Sequence, residues 1–117
     1  MKIWRNLLAL IIFGSLTACA QMNPHPMDMT QAVQNAKTRT DHEALARHYE
    51  DTAKEMQSKV QEHQKMLEQY ENNASHYGRQ TLDLQAHCRS LIHAYEQAVK
   101  ANMDLAGIHR KMVLEIK

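Results

Sequence analysis

Proline is confined to Pro24 and Pro26, glycine occurs only at Gly14, Gly78 and Gly107, and phenylalanine and tryptophan occur once each. Helix breakers are therefore nearly absent after residue 27, and long uninterrupted helices are allowed there. Aromatic residues are only 5% of the chain, which removes the usual filling of a large globular core. Without a glycine cluster there is no loop to cradle a phosphate, and no serine stands in a nucleophile motif. No basic stripe interleaved with aromatics runs along the chain, so nothing points to nucleic acid. The longest apolar run, Leu7 to Phe13, is too short to span a bilayer. Cysteine occurs twice, as Cys19 and Cys88.

Lys2 and Arg5 before that apolar run read as the positive end of an export signal over residues 1–18. Leu16-Thr17-Ala18-Cys19 follows it directly and resembles the lipobox of bacterial lipoprotein precursors. The resemblance covers about the first twenty residues. It implies cleavage before Cys19, lipidation of that cysteine, and attachment to a membrane through several acyl chains, where a single chain holds only marginally. Ala20, with no aspartate in that place, resembles the pattern sorted to the outer membrane, facing the periplasm; a Gram-positive cell surface is the other placement left open. Removing Lys2 and Arg5 from 14 basic residues leaves 12 against 13 acidic ones, close to neutral. Trp4 and Phe13 leave as well, so Tyr49, Tyr70, Tyr77 and Tyr95 are the remaining aromatics. Cys88 becomes the one thiol in an oxidising compartment, which excludes an intramolecular disulfide.

Residues 19–27 form the lipidated cysteine and a short tether, and residues 28–117 the domain. Asp28 with Gln31 has the spacing of a capping box and predicts a short helix over 28–38; Thr40 with Glu43 has the same spacing and predicts the start of a long one. From there apolar residues alternate at three and four: Ala46, Tyr49, Ala53, Met56, Val60, His63, Leu67, Tyr70. Asn72, Asn73, Ser75 and Gly78 mark a turn. The stepping resumes at Leu84, Cys88, Leu91, Tyr95, Ala98, Asn102, Leu105, His109 and Met112. The expected fold is all-α: a long antiparallel coiled-coil-like hairpin with a short N-terminal helix. Leu45, Met66, Ile92, Val99 and Val113 widen the apolar stripe beyond one seam, which favours pairing of two hairpins into a homodimeric four-helix bundle.

The hairpin is written twice. A shift of 46 positions lays Leu45 on Leu91, Tyr49 on Tyr95, Glu50 on Glu96, Lys54 on Lys100, His63 on His109, Lys65 on Lys111 and Met66 on Met112. The units run over about 41–68 and 87–114. A turn centred between Ser75 and His76 makes facing residue numbers sum to about 151, so His63 is expected opposite Cys88, His42 opposite His109, Met56 opposite Tyr95 and Tyr49 opposite Asn102. A pseudo-twofold axis would then relate two clusters: Cys88, His63 and Met66 with His87 nearby, and His42, His109 and Met112.

Thiolate, thioether and imidazole together suit copper first and zinc second. A heme held by histidine and methionine is a weaker variant, since no Cys-x-x-Cys-His is present. Against the metal stands a plainer reading, in which the histidines are packed and hydrogen-bonded and the methionines are core. A Cys88–His63 ion pair is the one nucleophile the pattern allows, and a straight hairpin offers it no cleft. Beyond the lipobox, the mature part resembles small His-rich helical-hairpin lipoproteins, from which no activity follows. The sequence therefore points to a non-enzymatic structural or interaction module at the cell envelope, binding the membrane through Cys19 and an envelope protein or its own copy through its helix faces. The alternative is a metal-binding lipoprotein.

Overall fold

The computed structural model describes residues 27–117; the expected signal segment, Cys19 and most of the tether lie outside them. Within them the chain folds into α1 (Met29–Asn35), α2 (Arg39–Asn72), α3 (Ala74–Tyr77), a single 3-10 turn (Gly78–Gln80) and α4 (Thr81–Glu115). The two long helices, of 34 and 35 residues, pack antiparallel along their length. At 1.5 Å per residue each is about 50 Å long. No strand occurs among the described residues, and none of their helices is long and apolar enough to cross a membrane.

Asp28 caps α1 as expected, its carboxylate accepting from the Gln31 N–H at 3.2 Å. The helix stops at Asn35, short of the predicted 38, because the next backbone donors are claimed by another cap. The Asp41 carboxylate accepts from the N–H groups of Lys37 (3.0 Å) and Thr38 (2.8 Å), and Thr38 Oγ1 accepts from the Asp41 N–H (3.2 Å). This reciprocal box starts α2 at Arg39. Thr40 and Glu43, the pair with the same spacing in the sequence, fall inside the first turns instead. The two bonds to its carboxylate, from the Lys37 N–H first and the Thr38 N–H second, lower the Asp41 pKa to about 2, and the Thr38 side chain adds to them.

The turn is built mostly of helix. Asn73 interrupts α2, and Gly78 takes φ 58°, which a residue without a Cβ adopts without strain. The buried Thr81 hydroxyl lies 2.9 Å from the Ala74 carbonyl and 2.8 Å from that of Gly78, so it closes the loop by donating to either.

The core is a thin line of small side chains. Leu45, Ala46, Ala53, Val60, Cys88 and Ala106 are the buried apolar residues among those described. On α2 the seam follows the expected stepping. On α4 it does not: Leu91, Leu105 and Met112, placed in the seam by sequence, are exposed, and Ile92, Val99, Ala106 and Val113 take their places toward α2. Cys88, Tyr95, Asn102 and His109 keep their expected places, so the helix is turned by about half a residue from its expected setting, roughly 50°. Both stripes are apolar, so spacing alone did not distinguish them.

Two ion pairs tie the helices across one face. Arg110 forks onto Glu50 with three contacts of 2.9–3.0 Å, and Arg89 reaches Glu71 at 2.8 Å. The four residues repeat at 21-residue intervals on both helices, so they occupy one heptad position each. All are partly solvated, and such pairs contribute at most about 1 kcal/mol apiece.

Candidate functional site

The histidines come together with the tyrosines, one heptad along from the expected pairing. The His109 ring stacks on Tyr49, centroids 5.6 Å apart and planes 10° off parallel. His63 stacks on Tyr95 at 5.6 Å and 16°. The shift of 46 exchanges these two pairs, so the pseudo-twofold relation read from the repeat holds in three dimensions. What changes is the register. A constant sum of 151 describes His42 and His109 but not Tyr49–His109, His63–Tyr95 or the two ion pairs, whose sums are 158 to 160. A seam side chain sits in a hole between partners on either side of the mean, so one sum was never going to name them all.

At the open end the cluster is complete. His42 and His109 meet Nδ1 to Nδ1 at 3.0 Å with their rings stacked at 5.2 Å. Two imidazole nitrogens share one hydrogen at that distance, so one ring is the donor and the other the acceptor. Burial holds the His109 pKa below its ordinary value, and the neighbouring His42 adds to the effect.

Toward the turn the equivalent cluster is not joined. Cys88, in the place of His42, is buried and free. The buried Nδ1 of His63 has no hydrogen-bond partner, so no hydrogen bond joins it to Cys88 there. His87 is exposed and Met66 half-buried, while Met112 at the other end is exposed. Among the described residues no three His, Cys, Asp or Glu side chains converge as a metal site. Of the predicted donors, His42 and His109 are the two in direct hydrogen-bond contact.

The feature that sequence reasoning misplaced is larger. Leu91, Ala94, Ala98, Ala101, Leu105, Ile108 and Met112 step along α4 at alternating three and four, and all but the half-buried Ala98 are exposed. Counting 100° per residue, this stripe lies about a quarter turn from the α2 side, on one flat face of the hairpin; Arg89 and Arg110 lie on the other. The equivalent α2 positions are Leu45, His48, Thr52, Glu55, Lys59, Glu62 and Met66. They are polar in the middle, and at the open end α1 lies over Leu45, where Met27, Ala32, Ala44 and their neighbours line a cleft of about 340 Å³. Leu45 is 1% exposed and its counterpart Leu91 40%. The α4 stripe is apolar where its α2 equivalent is polar, a difference between the repeated units that is visible in sequence once the second stripe is sought beside the first.

Comparison with known protein families, with curated proteins and with solved structures found no match.

Proposed function

We propose that this chain is a lipid-anchored, non-enzymatic interaction module of the bacterial cell envelope, tethered at Cys19 and working through the flat apolar face of α4. One observation carries the reading: an a/d-type stripe of seven residues stands open on a hairpin whose other flat face carries the two cross-helix ion pairs. An uninterrupted apolar stripe in water marks an interaction surface. The lipobox supports the anchor, and the near-neutral domain fits a surface that binds by shape and apolar area.

Fatty-acid labelling of cells expressing the full chain tests the anchor. Label that is lost in Cys19→Ser is expected, and an unlabelled wild-type chain refutes it. A photo-reactive residue in place of Leu105 tests the face. An adduct that disappears when Ile108→Lys is added is expected; absence of any adduct from this face refutes the module.

Copper or zinc at the open end is the second reading, favoured by the 3.0 Å approach of two imidazole nitrogens. Ligands on one tetrahedral ion with bonds of about 2.0–2.1 Å stand about 3.3 Å apart, so a small opening of the pair would admit an ion. Metal bound by the purified chain and lost in His42→Ala/His109→Ala supports it; a chain that takes up neither added Cu(I) nor Zn(II) excludes it.

A further inference from the structure

We infer that the partner on the α4 stripe is a second copy of this chain, docked antiparallel so that His87 to Met112 of one copy packs on Met112 to His87 of the other. The inference rests on the interaction-module reading and gives its partner.

In an antiparallel helix pair, layers form between the two alternating positions of the heptad, and residue numbers in a layer again have a constant sum. A sum of 199 uses the whole stripe. His87 then meets Met112, Leu91 meets Ile108, Ala94 meets Leu105 and Ala98 meets Ala101, and the twofold axis generates the same four layers in reverse. The sequence of the stripe is thus self-complementary: small in the centre, where the helices approach closely, and large toward both ends. A twofold interface needs this property, since one patch must fit itself.

Charge agrees with that register. No acidic residue enters any layer. The outer flank of the stripe carries Ser90, Gln97, Asp104 and Lys111. The same axis sets Asp104 beside Gln97 and Lys111 beside Ser90, so no like charges meet. The α2 half of the face, with Glu55, Lys59 and Glu62, offers nothing comparable, and α1 already covers its apolar end at Leu45. The contact is therefore carried by α4, over about 38 Å of helix.

Six buried apolar side chains, three of them alanine, leave the hairpin a single layer thick among the described residues. Stacking a second hairpin on the α4 stripe supplies the second layer from the chain's own sequence.

The test uses the full chain in mild detergent, with two differently tagged copies expressed together. A copy carrying Ala98→Cys and a copy carrying Ala101→Cys are expected to form a mixed disulfide, while Ala98→Cys alone forms little. Ile108→Lys, at a side chain already half exposed, is expected to turn the dimer into a monomer of unchanged helicity, and Leu105→Lys to do the same. A wild-type monomer, a dimer indifferent to both lysines, or a homodisulfide of Ala98→Cys in place of the mixed one overturns the inference. A monomer whose position 105 still photo-crosslinks to a different protein also overturns it and leaves the interaction module standing. A monomer with no adduct at that position brings down both.

Discussion

His63 and His109 occupy equivalent places in the two halves of the hairpin, stack on equivalent tyrosines, and differ in what lies behind them. His109 has His42 at 3.0 Å. His63 has a buried Nδ1 with no partner, because the second half carries Cys88 where the first carries His42. A repeat in sequence therefore reproduced the backbone relation and the ring stacking, which depend on seam geometry. It did not reproduce the hydrogen bond, which depends on one atom. Leu45 and Leu91 teach the same lesson for surfaces: identical residues at equivalent places, one covered by α1 and the other open.

The largest expected effect breaks the leucine comparison. Leu45→Ala should destabilise the chain by about 3 kcal/mol, as for a fully buried leucine, and Leu91→Ala by under about 1 kcal/mol under conditions where the chain is monomeric. Chemical denaturation of both variants decides it, and equal losses would mean that Leu91 is packed.

The histidine pair should respond with opposite signs. His63→Phe keeps a ring on Tyr95 and removes a buried unpaired nitrogen, so it should raise stability by about 1 kcal/mol. His109→Phe keeps the stack on Tyr49 and strands His42, so it should cost about 1 kcal/mol. Thermal unfolding of the two variants side by side tells them apart, and losses in both would give His63 a partner after all.

Acid sharpens the contrast. The His109 pKa is lowered on folding, so the native state takes up its proton less readily than the unfolded chain. Stability is then full above the ordinary histidine value of about 6.5 and declines as pH falls below it. A proton on both Nδ1 atoms also ends the His42–His109 bond. Asp41 acts in a separate and lower window: its contribution is present above 3.8 and lost as pH falls to about 2. Unfolding followed from pH 8 to pH 2 should show both declines, and His109→Phe should lose its part of the first while keeping the second.

The smallest effect concerns the faces. Arg110→Ala removes a solvated ion pair and should cost about 0.5 kcal/mol, with dimerisation unchanged because it lies on the other face. A loss of dimer in that variant would place the interface on the wrong side of the hairpin.

How far the sequence could be read follows from range. The alternation at three and four, the two caps and the Asn-Asn-x-Ser-x-x-Gly turn involve residues within a few positions of one another, and from them come an all-α chain and two helices of nearly the observed length. The choice between Thr38 with Asp41 and Thr40 with Glu43 was already ambiguous, since both have capping spacing and only the chain's path into the helix selects one. The candidate site was legible as a list of side chains, with His42 and His109 joined as expected. Its partnerships were legible only in part.

By itself the sequence determined helices, hairpin, repeat and the pseudo-twofold relation, because periodic spacing dictates which residues share a side of a helix. The tertiary structure decided which side faces inward. Turning α4 by about half a residue puts Ile92, Val99 and Ala106 into the seam beside Cys88, Tyr95 and His109 and leaves Leu91, Leu105 and Met112 on the surface. Two neighbouring apolar stripes are equivalent to a single helix, and only packing against α2, where small residues such as Ala53 and Ala106 let the backbones approach, gives them different fates.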